Sequence, residues 1–189
     1  DEKEMMVRVM TELQAVTDLP LQIDTSSAKV MEAALRRYNG KALINSVNGK
    51  KEIMDAVFPL VKKYGGVVIG LTLDEKGIPV KAADRLRIAQ KIYKEAARYG
   101  IAKKDIIIDP LAMAVSSDSQ AGLATLETVR GIYETGGNTS LGISNVSFGL
   151  PNREFVTSAF FTMAMQNGLS AAIMNPLQLE MKKVWYTTS

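Results

Sequence analysis

The chain has 189 residues, of which 47% are hydrophobic and 23% charged, and its net charge is +3 at pH 7. These values fit one globular domain with a sizeable core, and so small a charge, spread over several segments, argues against a nucleic-acid partner. Because the sequence contains no cysteine and no histidine, it excludes disulfides, thiolate and imidazole catalysis and the usual soft metal ligands, and leaves proton transfer to carboxylates, amides, hydroxyls, lysine, tyrosine or water.

Strand and helix patterns alternate along the chain. Residues 1 to about 17 predict an amphipathic helix. Its apolar stripe, which we expect to face the core, consists of Met5, Met6, Val9, Met10, Leu13 and Val16. Strands are then predicted in the segments LQIDTSS, ALINSVNG, VVIGLTLD, IIIDP, SLGISNVS and SAAIMNP. Helices are predicted at about 28–38, 51–64, 82–99, 121–134 and 154–167, the last burying Phe155, Val156, Ala159, Phe160 and Met163. The tail is expected to begin another helix, although its last residues, 185–189, show no clear pattern.

This alternation implies a parallel sheet with helices packed outside it. No strand is followed by a GxGxxG turn, so a dinucleotide-binding sheet gains no support. A (β/α)8 barrel takes about 250 residues, whereas this chain is shorter and begins with a helix. We therefore interpret residues 1–189 as a single, partial (β/α)8 barrel domain with six of eight units, lacking the first two strands.

The predicted strands end in polar side chains, which we call the rim: Asp24, Asn45, Thr72, Asp74, Asp109, Asn145 and Asn175. In a barrel these ends converge on one mouth, where ligands bind. The alternative is that Asp and Asn cap the helices that follow, and for a single position both explanations stand. A rim of carboxylates and amides without a cationic cluster suits a neutral ligand rich in N–H donors. Lys50, Lys51 and Arg153 follow strands and are placed to meet an acidic tail of such a ligand, although an exposed helix start is the simpler explanation for the two lysines.

The motifs IDTSS, INSVNG, IIIDP, GISNVSFGLPNR, FFTMAMQNGL and AAIMNP together resemble the pterin-binding methyltransferase barrels. That family includes the methyltetrahydrofolate-binding domain of cobalamin-dependent methionine synthase and the methyltetrahydrofolate:corrinoid protein methyltransferases, and is a relative of dihydropteroate synthase. The resemblance runs from about Asp18 to Pro176, and GISNVSFGLPNR with the Met-rich helix after it is the most specific part. Family members have two strands before the IDT strand, the second ending in an Asp-Val-Asn-like motif, and this chain lacks both.

The resemblance implies a barrel of the dihydropteroate synthase-like type and a role for each matched residue. Asp24, Asn45 and Asp109 would hydrogen-bond the pterin ring. Asn145 would approach the ring nitrogen that bears the methyl group, and Arg153 would lie near it. The implied reaction is transfer of the N5 methyl group of 5-methyltetrahydrofolate to cob(I)alamin, with Asn145 and Asp109 as the catalytic residues.

The partner implied by the resemblance is a separate corrinoid-binding domain or protein, because this chain has no histidine with which to ligate cobalamin. In methionine synthases the homocysteine site needs zinc held by cysteines, so we expect no metal bound by this chain. Homodimerisation is left open. No apolar run is long enough to span a bilayer and no leader is recognisable, so we expect a cytoplasmic protein without a membrane partner.

Two other interpretations of the function compete with methyl transfer. One is another enzyme on the same barrel, such as a dihydropteroate synthase-like condensation enzyme or an aldolase. The lysine of the dihydropteroate synthase signature has no evident counterpart here, and a Schiff-base aldolase needs a buried lysine that every predicted strand lacks. The other is a non-catalytic pterin-binding fragment or interaction module, which pterin binding without methyl transfer would favour.

Overall fold

The computed structural model describes residues 1–188, in which helices alternate with strands. The strands are β1 (Gln22–Asp24), β2 (Leu43–Asn48), β3 (Val67–Leu71), β4 (Ile106–Asp109), β5 (Asn138–Gly142) and β6 (Ala171–Ile173). The helices are α1 (Glu2–Gln14), α2 (Ala28–Leu35), α3 (Lys51–Tyr64), α4 (Ala82–Arg98), α5 (Ala121–Glu134), α6 (Arg153–Gln166) and α7 (Leu179–Thr188). Short 3₁₀ helices span Lys103–Asp105 and Ile143–Ser147. Of the tail segment 185–189, position 189 lies outside the described residues.

The strands form one parallel sheet in the order in which they occur along the chain, β1 to β6. A doubly wound sheet would instead reverse its strand order at a switch point. Sequential order with a helix between neighbouring strands is the arrangement of a barrel, of which these six strands make a partial one. The prediction of a parallel sheet built from alternating strands and helices is confirmed.

One face of the sheet carries the core. A row of residues paired across β1 to β4 is almost fully buried and consists of Ile23, Ile44, Val68 and Ile106. These residues cluster with apolar residues of α2, α3 and α4. A second cluster packs Leu141 of β5 against Phe160 and Phe161 of α6. Gly70 lies on the same face as Val68, and a Cβ there would stand only 3.1 Å from Ile92 Cγ2 of α4. The helices therefore cover this face, and the opposite one is the inner face of the partial barrel.

Helix α1 packs differently from its prediction. Met10 is buried and Met6 packs partly against the core. Met5, Val9 and Leu13 are exposed, as is Val16 just after the helix. The prediction that the whole stripe faces the core is wrong for these four residues. The physical reason is that α1 lies at the edge of the sheet and packs mainly on one neighbour, α2.

Helix α6 also buries a different stripe from the one predicted. Phe155, Ala159 and Met163 are exposed, so their predicted burial is wrong, whereas Phe160 is buried as predicted. The buried stripe runs through Thr157, Phe160, Phe161 and Ala164. The buried stripe is shifted by about one residue from the predicted one, which packs Phe161 and Ala164 into the core and brings the Thr157 hydroxyl to 2.8 Å from Ser147 Oγ in the preceding turn.

The outer strands of the sheet set an expectation for the isolated chain. Within residues 1–188, β1 and β6 each have one neighbour and thus one unpaired edge. Because unpaired edges and apolar stripes recruit other chains, we expect the 189-residue chain alone to melt at a concentration-dependent temperature or to associate. Sedimentation and thermal melts over a concentration series measure this. A charge on the exposed stripe, Val9→Lys, should reduce association through α1 without lowering stability. A sharp, concentration-independent melt of a monomer would contradict the expectation.

Candidate functional site

Three rim residues lie on the inner face of the sheet. Asp24 pairs with Asn45, Asn45 pairs with Ile69, and Leu71 pairs with Asp109. Ile69 and Leu71 are two residues apart on one strand and therefore point to the same side. Asp24, Asn45 and Asp109 consequently share the face opposite the helices. Asp24 and Asp109 are the last residues of their strands, whereas β2 continues for three residues beyond Asn45, contrary to the prediction.

Asp24 and Asn45 form a hydrogen-bonded pair across β1 and β2. Asn45 Nδ2 donates to Asp24 Oδ2 at 3.2 Å. The strand register shifts between Asn45 and Val47, so Ser46 bulges out of the ladder just after the pair. Asp24 is exposed and Asn45 half-buried, and Asp24 Oδ1 has no hydrogen-bond partner among residues 1–188. The pair therefore holds one carboxylate oxygen in place and leaves the other accessible.

Asp109 is the most buried acid of the rim, with 9% of its surface exposed. Burial raises the pKa of its carboxyl to about 6, and a hydrogen bond from the Leu111 backbone opposes that rise. Leu111 N–H donates to Oδ1 at 2.7 Å, whereas Oδ2 has no hydrogen bond from the part of the chain that the structure describes. A buried carboxylate with a free oxygen is an acceptor for N–H donors, and its pKa suits proton exchange near neutral pH.

Thr72 and Asp74 support loops rather than complete the site. Strand β3 ends at Leu71, before both residues. Thr72 is buried, and its N–H and hydroxyl donate to the Asp109 carbonyl at 3.0 and 3.2 Å. Asp74 Oδ1 accepts from the backbone N–H of Lys76 at 2.9 Å and closes the turn before α4. For these two positions the structure favours the local, structural role.

Asn145 does not end a strand, contrary to the prediction. Strand β5 stops at Gly142, and Ile143–Ser147 forms a 3₁₀ turn that we call the Asn145 turn. The reason is local competition: Ser147 Oγ donates to the Ser144 carbonyl at 3.1 Å, a bond that strand geometry would not allow. Asn145 is exposed, and its amide side chain makes no hydrogen bond with the described residues. It lies over the end of β5, since a Cβ on Gly142 would stand 3.0 Å from Asn145 Nδ2.

Arg153 braces the Asn145 turn. Its Nε donates to Ser147 Oγ at 3.1 Å, and an Nη donates to the Ser144 carbonyl at 2.8 Å. The guanidinium also lies 5.8 Å from the centroid of the Phe148 ring, a distance at which cations interact with aromatic faces. The structure thus brings Arg153 to the segment that carries Asn145, with its hydrogen bonds directed at that segment.

The remaining candidates make local contacts. Asn175 lies beyond β6, where its Oδ1 accepts from Leu177 N–H at 3.0 Å in a turn. Lys51 Nζ forms an ion pair with Asp55 Oδ2 at 2.7 Å within the first turns of α3, which supports the simpler explanation of an exposed helix start. Sequence reasoning missed the Leu111 N–H that orients Asp109, because a backbone donor has no signature in the residue type.

Two concavities of the molecule lie away from the rim. A concavity of about 590 Å³ lies beside α1 and the end of α2, and one of about 420 Å³ lies between β6 and α7; both are lined by other residues. Within residues 1–188, no group of three or more acidic side chains is placed to hold a metal ion. None of the helices in that range is both long and apolar enough to cross a bilayer.

Comparison with known proteins gives one family match and several relatives. Residues 1–175 match the family model for pterin binding enzymes. The methylcorrinoid:tetrahydrofolate methyltransferase of Eubacterium limosum is 30% identical to this chain, over 99% of the chain and 70% of that protein. A methionine synthase of Mycobacterium tuberculosis is 28% identical over 90% of the chain but only 15% of that much longer protein.

Solved structures share the fold at lower identity. A Yersinia pestis dihydropteroate synthase bound to a pterine-sulfa conjugate superposes with a TM-score of 0.80 at 18% identity, covering 98% of this chain and 74% of that one. The Xanthomonas albilineans dihydropteroate synthase in complex with 7,8-dihydropteroate gives a TM-score of 0.76 at 22% identity, covering 96% and 70%. The chain therefore has a dihydropteroate synthase-like fold.

Proposed function

The chain belongs to the pterin-binding enzyme family, and on that premise we propose that it binds 5-methyltetrahydrofolate and transfers the N5 methyl group to cob(I)alamin of a corrinoid domain or protein. The observation that carries the proposal is the buried Asp109 carboxylate, with one oxygen free, on the same face as the Asp24–Asn45 pair. The names of the two curated relatives support methyl transfer over other pterin chemistry.

Recognition of the pterin ring rests on matching its N–H groups with acceptors. A carboxylate accepts two parallel hydrogen bonds from an amidine-like edge, and an amide both donates and accepts. Asp109 is the main acceptor in this proposal, because its burial makes an unpaired charge costly and a ligand donor correspondingly favourable. Asp24 and Asn45 bind the ring edge nearer β1 as a preformed pair.

Methyl transfer needs help at the ring nitrogen, since the leaving group would otherwise be an amide-like anion. Hydrogen bonding or protonating that nitrogen as the carbon–nitrogen bond breaks lowers the barrier. Asn145 is the residue proposed for this contact, because its free amide can accept or donate a hydrogen bond as the nitrogen gains a proton from solvent water. Arg153 lies close by and holds the Asn145 turn in place, while Asp109 orients the ring.

The methyl acceptor is presented from outside this chain. Cob(I)alamin, carried by another domain or protein, supplies the nucleophile, and the exposed position of Asn145 allows its approach. The name of the Eubacterium limosum relative describes the opposite direction, from methylcorrinoid to tetrahydrofolate, and this is the second candidate. The same contacts serve both directions, because forward and reverse reactions share one transition state.

We further propose that these six units belong to an eight-stranded barrel, with two more strands lying between β6 and β1. The support is that both outer strands carry an unpaired edge within the described residues. In a closed barrel no edge remains, and the inner face becomes an enclosed mouth. Two additional strands would also contribute residues to the pterin site.

A direct comparison of ligands tests the proposed function. The full-length protein is titrated by calorimetry with 5-methyltetrahydrofolate and, separately, assayed for condensation of a dihydropterin pyrophosphate with p-aminobenzoate. We expect saturable folate binding and no condensation product. Condensation at an enzymatic rate would favour the dihydropteroate synthase-like alternative, and absence of folate binding would remove the proposed function.

A further inference from the structure

Arg85 of α4 is a buried cation that the proposed reaction does not use. It is 2% exposed and ranks among the largest fully buried side chains. None of the ion pairs among residues 1–188 includes it, and burial lowers the pKa of its guanidinium. Burying a charge without a carboxylate partner is costly unless its hydrogen bonds are well satisfied. What those bonds hold therefore indicates what the residue does.

The guanidinium of Arg85 binds the two loops that follow β3 and β4. Its Nε donates to the Pro79 carbonyl at 2.8 Å, in the loop after β3. One Nη donates to the carbonyls of Pro110 and Leu111 at 2.9 and 3.1 Å, in the loop after β4. The same nitrogen donates to Thr125 Oγ1 of α5 at 3.0 Å. A single side chain thus joins two loops of the rim to α5.

The loop after β4 is the one that orients Asp109. Leu111 has a φ of +65°, a left-handed conformation that L residues other than glycine adopt rarely. In this conformation its N–H reaches back to Asp109 Oδ1 at 2.7 Å. Its carbonyl accepts from Arg85 at 3.1 Å and from the Thr125 hydroxyl at 3.2 Å. The unusual backbone is therefore held at its N–H by Asp109 and at its carbonyl by Arg85 and Thr125.

We propose that Arg85 is a positioning residue for the pterin site, which fixes the orientation of the Asp109 carboxylate through the turn Pro110–Leu111. The identity of the ligand rests on the proposed function, whereas the effect on Asp109 does not. Lysine cannot take over this role, because one ammonium group cannot reproduce the planar fork that reaches Pro79 and Pro110 at once. Arg85 acts at a distance from the ligand, through backbone that it holds.

The first test needs no ligand. Amide hydrogen exchange is measured by NMR in the full-length protein, in wild type, in Arg85→Lys and in Arg87→Lys, an exposed arginine of the same helix. We expect the amide of Leu111 to exchange about tenfold faster in Arg85→Lys than in wild type. The exchange rate of the Ile108 amide in β4 should change by less than about twofold. The Arg87→Lys control should leave both amides unchanged. Equal acceleration at Leu111 and Ile108, or no change at Leu111, would overturn the proposal, since Arg85 would then only stabilise the fold.

The second test is a double-mutant cycle on 5-methyltetrahydrofolate affinity. Arg85→Lys should weaken binding about tenfold in the wild-type background and by less than about twofold when Asp109→Ala is already present, because that variant has no polar side chain left to orient. The same factor in both backgrounds would contradict action through Asp109. If wild type binds no folate, the proposed function fails, and the exchange result alone then decides whether Arg85 positions Asp109. If Arg85→Lys does not fold, Thr125→Val replaces it in both tests, because it removes one Arg85 contact and one Leu111 contact without removing the charge.

Discussion

Replacing Asn145 by alanine is expected to lower methyl transfer to cob(I)alamin by about 10²-fold or more in the full-length protein, with a smaller loss of folate affinity. The amide is free in the described structure and sits on a braced turn beyond β5. A contact that improves as the ring nitrogen gains a proton stabilises the transition state more than the bound substrate, so it affects rate more than affinity.

Single-turnover loss of the cob(I)alamin absorbance at saturating 5-methyltetrahydrofolate measures this effect. Ser144→Ala is the matched control, because it changes a neighbouring exposed side chain on the same turn and leaves the Ser144 carbonyl that Arg153 binds. The control should react at the wild-type rate. A lower melting temperature of Asn145→Ala together with a nearly normal rate at saturation would mean that Asn145 only orders the turn.

Asp109→Asn is expected to weaken folate binding and to stabilise the folded protein at the same time. Loss of the charged acceptor leaves ligand donors poorly paired and should cost about 1–3 kcal/mol of binding free energy. The free energy of unfolding should increase, because the pKa of the carboxyl is raised to about 6 in the folded state, whereas an unperturbed Asp has a pKa of about 3.9. The Leu111 N–H keeps a partner, since the Asn side chain also offers an oxygen.

The sign of the pH dependence follows from that raised pKa. At a pH below the pKa of the unfolded state, the Asp109 carboxyl is protonated in both the folded and the unfolded protein and does not lower stability. At a pH above the pKa of the folded state, it is ionised in both, and the full free-energy cost of burying the charge is present. The stabilisation gained by Asp109→Asn should thus approach about 3 kcal/mol at pH 8 and fall to about half of that at pH 5. Wild-type folate affinity should weaken as pH falls through about 6, a dependence that the variant lacks.

Urea unfolding at the two pH values and calorimetry with 5-methyltetrahydrofolate check these expectations. Asp118→Asn is the matched control: Asp118 also accepts a backbone N–H two residues ahead, from Gln120 at 2.9 Å, but it is exposed. It should change neither stability nor affinity. An unchanged dissociation constant for Asp109→Asn would remove Asp109 from the binding site, and a pH-independent stability change would contradict its raised pKa.

Sequence patterns were sufficient to predict the parallel sheet and the acidic residues on its inner face. Alternating strands and helices predicted the parallel order, and the residue period of two in a strand puts Asp24, Asn45 and Asp109 on one face of the sheet. The Asn145 turn was not predictable in the same way, because Leu141, Ile143 and Val146 continue an apolar pattern past the end of β5. Hydrogen bonds of Ser147 and Arg153 hold the turn that ends the strand there.

The other differences between prediction and structure arise because a sequence pattern does not show which elements pack against each other. An amphipathic pattern shows that α1 has an apolar side but not what covers it, so the exposure of Met5 and Val9 could not be foreseen. Arg85 lies in the charged stretch Asp84 to Arg87, which is typical of an exposed helix start. Its burial follows from the two loops that fold over it, and these are brought together only by the tertiary structure.

Transfer of a labelled methyl group tests the central claim most directly. The full-length protein is mixed with 5-methyltetrahydrofolate labelled in the N5 methyl group and with cob(I)alamin, and the label on the corrinoid is followed in a single turnover. We predict stoichiometric transfer of label by wild type, at a rate lowered about 10²-fold or more in Asn145→Ala. Saturable folate binding with no label reaching the corrinoid would contradict the account and leave this chain a pterin-binding domain without methyltransferase activity.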